Sequence, residues 1–314
     1  MSARPRVFTD RRCLEHLAPR GYPERPDRLA AILAGLGAGG WAIDELPPTP
    51  AGPAAVRAVT AVHDPDYVER FRRAVERGDS LLDSADNPLS AGTWAAAWAA
   101  VGATLAAADH AAAGAGPAFA AVRPPGHHAE RALAMGFCFF NNVAVAAEHL
   151  RREHGVSRIA IFDFDVHHGN GTQHLFESRA DVLYASTHQY PFYPGTGAAG
   201  ETGIGEGAGA TLNVPLPAGT GDDGYQQAIE AKVLPALRAF APDVLLLSAG
   251  FDAWRADPLG GMAVTEAGFE RWGRQLAALA DEVAQGRLLA VLEGGYDLDN
   301  LPCLVEGFLN GLAG

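Results

Sequence analysis

Short apolar runs alternate with amphipathic stretches along this 314-residue chain. Runs of β-branched and aliphatic residues predict buried strands at 7–8, 118–122, 158–164, 182–186, 244–248 and 287–292. Ala, Leu, Arg and Glu at helical spacing predict helices over 26–38, 65–77, 91–112, 139–154, 224–240 and 265–284. Because the two kinds of element alternate, we expect an α/β fold in which helices flank a parallel sheet.

The chain shows no internal repeat and no clear linker, so we interpret residues 1–314 as a single domain. The Pro-rich segment LPPTPAGP at 46–53 is predicted to be a surface connection. The segment 195–209 contains a G-x-G-x-x-G pattern, but a tyrosine and a proline precede it and no helix follows. A dinucleotide fingerprint needs both a strand before it and a helix after it, so we expect an active-site loop there instead.

The net charge of −13 argues against nucleic-acid binding, which needs a basic surface, although it is compatible with cationic substrates. The three cysteines, Cys13, Cys138 and Cys303, have no metal-binding spacing and predict no disulfide framework.

The N-terminal segment MSARPRVFTDRR lacks the apolar core of a signal peptide, and the Ala-rich stretch from Thr93 predicts a packed helix rather than a membrane span. We therefore expect a cytoplasmic protein without membrane contact. The sequence leaves open whether it forms a homo-oligomer.

Polar residues follow four of the predicted strands directly. The carboxyl ends of parallel strands meet at one edge of a sheet, where open α/β folds bind their ligands. We therefore expect one shared cavity for residues that lie up to 169 positions apart, namely His127 and His128 in RPPGHH, Asp163, Asp165, His167 and His168 in DFDVHHGN, Asp252 after SAGF, and Tyr296 in LEGGYD.

A metal site is one interpretation of these strand ends. Asp165 and His167 are two residues apart and point the same way in an extended segment. With Asp252 they would supply three ligands and leave a position open, as catalytic zinc sites do. The alternative is a simple hydrogen-bonded Asp-His pair.

Acid–base chemistry is the second expectation. His127 and His128 could act as base and acid, with Asp163 and Asn170 as partners that place the two rings in different electrostatic settings. Tyr296 could donate a hydrogen bond to a developing oxyanion. The alternatives are two surface-loop histidines and a tyrosine that merely packs at a turn.

The motifs RPPGHH, GFCFFNN, DFDVHHGNGTQ, STHQYPFYPGTG, LSAGFDAWRADPLGG and LEGGYD together closely resemble the zinc-dependent histone deacetylase superfamily. GYPERPDRL and VHDPDYVERF match its opening motifs, so the resemblance covers nearly the whole chain. Within the superfamily the chain is similar to class II enzymes and to bacterial histone-deacetylase-like and acetylpolyamine amidohydrolases. The resemblance implies the arginase/deacetylase fold, with about eight parallel strands, and removal of acetyl groups from amines.

The resemblance also implies residue roles. One catalytic zinc would bind Asp165, His167 and Asp252. His127 and His128 would be the base and acid, backed by Asp163 and Asn170, and Tyr296 the transition-state tyrosine. A structural potassium ion would lie near Asp163, Asp165, His167 and Ser186. The substrate tunnel would be built by Gly136, Phe137, Tyr193, Asp86 at the rim, Leu259, and Arg25 at the foot. Tyr22 departs from the histidine of many relatives before PERP and is expected to change the rim.

The sequence leaves open whether the substrate is a peptide or a small molecule. Leu259 stands where a polyamine-selective relative has glutamate, which favours acetyl-lysine in peptides, with acetylpolyamines as the alternative. A non-catalytic module that binds acyl ligands and a two-metal arginase-type ureohydrolase are further alternatives, but the latter needs a D-x-D pair that is missing around Asp252. The metal in the cell, zinc or iron(II), also stays open.

Overall fold

Within residues 4–314, which the computed structural model describes, eight parallel strands form one sheet. The strands are β1 (Arg6–Thr9), β2 (Ile43–Glu45), β3 (Ala118–Ala120), β4 (Ile159–Asp163), β5 (Val182–Gln189), β6 (Thr211–Leu216), β7 (Val244–Ala249) and β8 (Leu288–Leu292). Their order across the sheet is β2-β1-β3-β8-β7-β4-β5-β6, and every neighbouring pair is parallel. The predicted α/β fold with a parallel sheet is confirmed.

Helices flank this sheet. They are α1 (Pro26–Ala38), α2 (Pro53–Val62), α3 (Pro65–Arg77), α4 (Thr93–Ala112), α5 (Asn142–His154), α6 (Asn170–Phe176), α7 (Asp222–Ala228), α8 (Leu234–Phe240), α9 (Glu266–Ala284) and α10 (Leu301–Ala313). A π-helical turn, Ile229–Val233, joins α7 to α8, so the helix predicted over 224–240 is present with an irregular middle.

The central strands are buried on both faces. Every residue of β4, β7 and β8 is buried, which explains why their sequences are continuous apolar runs rather than alternating ones. The residues that follow these strands are therefore held at the end of a rigid core.

The elements that the sequence did not predict are β2, β6, α2, α6 and α10. Both strands lie at the edges of the sheet. Strand β2 has three residues and no buried position, and β6 contains Pro215, which is tolerated mainly in edge strands. Neither shows the apolar pattern on which a strand prediction depends.

The Ala-rich stretch forms α4, most of whose residues are buried against α5, β1 and β3. Between residues 4 and 314, no helix is both long and apolar enough to span a membrane. The segment 46–53 connects β2 to α2 and is largely exposed, as predicted.

Candidate active site

Four strands that are neighbours in the sheet carry the polar strand-end residues. Strands β3, β8, β7 and β4 follow one another in that order. The segments after them bring His127, Tyr296, Asp252 and Asp165 to the same edge of the sheet, as the sequence predicted. The 169-residue separation between His127 and Tyr296 is bridged because β8, the last strand in the chain, inserts beside β3.

Two carboxylates and one imidazole converge at the centre of this edge. The Nδ1 atom of His167 lies 3.1 Å from Oδ1 of Asp165 and 3.2 Å from Oδ2 of Asp252. One ligand atom from each residue lies within 4.8 Å of the others. Three oxygen and nitrogen donors that face one point can hold a divalent cation.

Backbone hydrogen bonds fix both carboxylates. Oδ2 of Asp165 accepts from the Gly294 N–H at 2.8 Å, and Oδ1 of Asp252 accepts from the Val166 N–H at 2.9 Å. A Cβ at position 294 would collide with both carboxylates, so the glycine after Glu293 is what allows this close approach. The other two carboxylate oxygens, Oδ1 of Asp165 and Oδ2 of Asp252, face His167.

The charge of this cluster favours a cation. Burial opposes protonation of His167, but hydrogen bonds to Asp165 and Asp252 outweigh it and raise the pKa of His167 to about 10. Burial and the negative charge of Asp165 raise the pKa of Asp252. A bound divalent cation would relieve this repulsion between the carboxylates, so the donor set fits a metal ion.

The tandem histidines lie beside this cluster and have unlike partners. Nδ1 of His127 is 3.0 Å from Oδ2 of Asp163, and Nδ1 of His128 is 2.7 Å from Oδ1 of Asn170. The centroids of the two imidazole rings are 4.0 Å apart. Both rings are buried, so the alternative of two surface-loop histidines is wrong.

These partners separate the two histidines electrostatically. Burial lowers the pKa of His127, but the carboxylates of Asp165 and Asp163 outweigh this and raise it to about 10. Burial and the positive charge of His127 hold the pKa of His128 well below its ordinary value. One imidazole therefore holds a proton firmly and the other does not.

Tyr296 completes the wall of the cavity next to the histidines. Its ring lies over the Arg28 guanidinium, whose carbon is 4.7 Å from the ring centroid. Burial raises the pKa of the Tyr296 phenol well above its ordinary value, so the hydroxyl stays a hydrogen-bond donor at neutral pH.

The prediction that Arg25 lies at the foot of the pocket is wrong. Arg25 is the residue before α1, is only half-buried, pairs with Asp27, and does not line the cavity. Arg28, one turn later, is fully buried and donates to the carbonyl oxygens of Gly295 and Glu293 at 2.6 Å each. The helix starts at Pro26, which turns position 28 inward and leaves position 25 outside.

A cavity of about 310 Å³ leads to this cluster. Aromatic and apolar side chains form most of its wall, and the residues of the predicted tunnel all line it except Arg25. The lining residues are Asp86, His128, Gly136, Phe137, His167, Phe192, Tyr193, Leu259 and Tyr296. Phe192, which stacks on His167 with ring centroids 5.3 Å apart, was not singled out from the sequence.

Asp86 organises the rim of the cavity. Its Oδ2 accepts from the Gly136 N–H at 2.9 Å and from the Tyr193 hydroxyl at 3.1 Å. The Tyr22 hydroxyl donates to the Asp86 carbonyl oxygen at 2.7 Å, and its ring packs edge-on against Phe137. The tyrosine that replaces the expected histidine therefore does contribute to the rim.

Two buried carboxylates that the sequence analysis missed hold the catalytic loops in place. Oε2 of Glu293 accepts from the N–H groups of Gly126 and His127 at 2.6 and 3.1 Å. Asp257 accepts from the N–H groups of Tyr296 and Leu259 at 2.6 and 2.9 Å. Burial raises the pKa of each carboxyl to about 7. Their motifs, LEGGYD and RADPLGG, were the available signal.

The remaining sequence expectations fall around this edge. Ser186 is buried on β5 and pairs in register with Asp163 on β4. The Gly-rich segment 195–209 connects β5 to β6, and no residue of it lines the cavity; Phe192 and Tyr193, just before it, do. The prediction of an active-site loop at 195–209 is therefore displaced by a few residues. The segment contains a short 3-10 turn, Gly205–Gly207, and is followed by strand β6.

Comparisons with known proteins agree with this geometry. The histone deacetylase domain family matches residues 22–312. The chain is 41% identical to the chloroplastic histone deacetylase 14 of Arabidopsis thaliana over 83% of this chain and 64% of that protein, so it spans less than two thirds of that relative's length.

Two solved structures cover nearly the whole fold. The crystal structure of the HDA15 HD domain superposes with a TM-score of 0.91 at 37% identity, over 100% of this chain and 90% of that one. The acetylpolyamine aminohydrolase from Burkholderia pseudomallei gives a TM-score of 0.87 at 34% identity, over 98% of both chains.

Proposed function

Since this chain belongs to the histone deacetylase domain family, we propose that it removes acetyl groups from acylated amines with one zinc ion. Family membership makes the chain a hydrolase of amide bonds. The observation that carries the proposal is the convergence of Asp165, His167 and Asp252 beside the histidine pair and Tyr296 in one cavity.

The proposed zinc ligands are Asp165, His167 and Asp252. Two carboxylates and one imidazole leave further coordination positions for water and substrate, as catalytic zinc sites do. When bound, zinc supplies Lewis-acid polarisation of the amide carbonyl and acidifies a water molecule. Iron(II) accepts the same kind of donor set.

We infer that His127 is the general base. Its Nδ1 is engaged by Asp163, so Nε2 is the atom that can take a proton from the attacking water. A cation held by Asp165 would weaken the attraction that raises the pKa of His127 and bring it closer to neutrality. The Asp163 carboxylate then stabilises the imidazolium as it forms.

His128 and Tyr296 complete the proposed chemistry. Because Asn170 accepts from Nδ1 of His128, the ring is oriented without added negative charge. The proton that His127 takes from the water returns to the amine as the C–N bond breaks, and Nε2 of His128 assists by accepting a hydrogen bond from the water or the departing amine. The Tyr296 hydroxyl donates to the oxyanion of the tetrahedral species. Acetate and the free amine leave.

We propose acetyl-lysine in peptides as the preferred substrate. Leu259 lines the cavity, and within residues 4–314 the one acidic residue among its lining side chains is Asp86, which already accepts from Gly136 and Tyr193. An apolar wall suits the methylene chain of lysine, and a rim carboxylate suits the backbone N–H groups of a peptide. The similarity to an acetylpolyamine aminohydrolase supports acetylpolyamines as the second candidate.

A substrate panel with and without a metal chelator tests both levels of the proposal. We expect kcat/KM for acetyl-lysine peptides to exceed that for acetylputrescine and acetylspermidine. Chelation should abolish turnover and zinc should restore it. A preference for the polyamines would overturn the substrate assignment, whereas no zinc-dependent hydrolysis of any acyl-amine would indicate a non-catalytic binding module.

Two further assignments belong to this proposal. A potassium ion near Asp163, Asp165, His167 and Ser186 is supported by the burial of Asp163, Asp165 and Ser186 around the ends of β4 and β5. The second assignment is a cytoplasmic location, which cell fractionation would test.

A further inference from the structure

A second group of metal-ligand side chains lies between α4 and α5, away from the cavity. Asp109 is near the end of α4, and His149 and His154 are in the last turns of α5. The Nε2 atoms of His149 and His154 lie 2.6 and 2.7 Å from the same atom, Oδ1 of Asp109. None of the three residues lines the cavity of the active site.

This arrangement differs from an ordinary surface ion pair. His149 is buried, and its Nδ1 has no hydrogen-bond partner among the described residues. That nitrogen is not the one that faces Asp109, so Nε2 is the atom of His149 that reaches the carboxylate. An ordinary His–Asp pair contains one imidazole. Here two imidazole rings, with centroids 5.5 Å apart, both contact Oδ1 of Asp109.

The carboxylate is ready to act as a ligand at neutral pH. An aspartate carboxyl has an ordinary pKa of about 4, so it is ionised at neutral pH. The side chains of Asp109 and His154 are 53% and 32% exposed, so solvent and ions can reach the group. His149 provides the fixed, buried side of the group.

We propose that Asp109, His149 and His154 form a second metal site, which binds one divalent transition-metal ion of the zinc class. Two imidazole nitrogens and one carboxylate oxygen suit Zn²⁺, Ni²⁺ or Cu²⁺, whereas Ca²⁺ and Mg²⁺ prefer oxygen ligands.

The geometry of the cluster allows such an ion to enter. The three donor atoms lie within 4.8 Å of one another, and tetrahedral zinc with bonds of about 2.0–2.2 Å needs donors roughly 3.3 Å apart. The two distances from the imidazole Nε2 atoms to Oδ1 of Asp109, 2.6 and 2.7 Å, are shorter than this by less than about 1 Å, so a small outward movement of Asp109 would open them to it. Water would take the fourth position.

An ion at this site would join the end of α4 to the end of α5. Any ligand that binds only the folded chain stabilises it in proportion to the logarithm of its concentration. The ion should therefore raise the unfolding temperature without changing turnover, because none of its ligands contacts the cavity.

Counting zinc per chain tests the proposal. Enzyme that carries its catalytic metal is dialysed at fixed free Zn²⁺, and bound zinc is measured by elemental mass spectrometry. We expect His154→Gln and Asp109→Asn each to bind one ion fewer than wild type. Glu153→Gln is the matched control, since Glu153 is an exposed carboxylate on the same turn that pairs with Arg57, and it should bind as many ions as wild type.

The proposal is overturned if wild type and His154→Gln bind the same number of zinc ions. It is also overturned if wild type binds two zinc ions, Asp252→Asn loses both of them and His154→Gln loses neither. That result would indicate two metals in the catalytic cavity. As a second readout, added Zn²⁺ should raise the unfolding temperature of wild type and Glu153→Gln by a few degrees more than that of His154→Gln.

Discussion

The rings of His127 and His128 lie 4.0 Å apart, centroid to centroid, yet one is held by a carboxylate and the other by a neutral amide. Two residues that are adjacent in the sequence thus have imidazole pKa values shifted in opposite directions, upward for His127 and downward for His128. The separation depends on Asp163 and Asn170, which come from the end of β4 and the start of α6.

Exchanging these partners should change the pH profile in opposite directions. In Asp163→Asn the pKa of His127 falls, because one of the charges that raises it is lost, so the acidic limb of kcat/KM moves to lower pH and the maximum drops by ~10²-fold. In Asn170→Asp the pKa of His128 rises, because a negative charge is added behind it. The measurement is kcat/KM from pH 5 to 10. Unchanged limbs in both variants would contradict the assigned roles.

Tyr296→Phe should lower kcat by ~10²- to 10³-fold, since it removes one donor to the developing oxyanion. Tyr193→Phe is the control: it also removes a phenol from the cavity wall, but that hydroxyl contacts Asp86 at the rim. We expect this control to act mainly on KM and by less than tenfold. Equal losses of kcat in the two variants would argue against a special role for Tyr296.

Leu259→Glu should shift the substrate preference towards acetylpolyamines. A carboxylate on the partly buried cavity wall would attract the distal ammonium of acetylspermidine, with an expected gain of about fivefold in kcat/KM relative to an acetyl-lysine peptide. Leu259→Gln is the control: glutamine has nearly the same shape as glutamate but no charge, so this variant should not show the shift in substrate preference. The gain should fall at high ionic strength; a gain that is insensitive to salt would contradict an electrostatic cause.

Stability should decrease on acidification because of His63. This buried ring donates from Nδ1 to the Glu130 carbonyl oxygen and accepts at Nε2 from the Asn141 N–H, each at 2.9 Å, so it must be neutral. Burial lowers its pKa to about 4. Between pH 6.5 and 4 the unfolded chain therefore binds more protons than the folded one, and stability is lost as pH falls through this window.

The predicted contribution of His63 is roughly 2 kcal/mol between pH 6.5 and 5. Urea denaturation of wild type and His63→Gln across this range measures it. The variant should be less stable at pH 7 but should lose less stability on acidification. Parallel pH dependences in the two proteins would show that other groups, such as the buried His16, are responsible.

The sequence predicts the parts of the site that are coded locally. Asp165 and His167 are two residues apart at the end of an apolar run, so their common direction follows from strand geometry. Asp252 and Tyr296 follow equally clear runs. The order β3-β8-β7-β4 brings all of them together.

The supporting residues are not coded locally. Arg28 contacts carbonyl oxygens of residues 265 and 267 positions away, and nothing near PERPDRL distinguishes it from Arg25. Glu293 and Asp257 accept hydrogen bonds from backbone N–H groups of the loops around the site; the motifs LEGGYD and RADPLGG contain them, but no spacing or periodicity marks a carboxylate for this role. The edge strands β2 and β6 were missed because one is very short and the other contains a proline.

The position of β8 has a consequence for how the protein is made. Strand β8 is synthesised after the other seven strands of the sheet and fills the gap between β3 and β7, so a chain that ends before residue 288 would expose two unpaired strand edges in the middle of its sheet. Such edges invite pairing with other chains. Termination before residue 288 should therefore yield aggregates rather than a weakened enzyme.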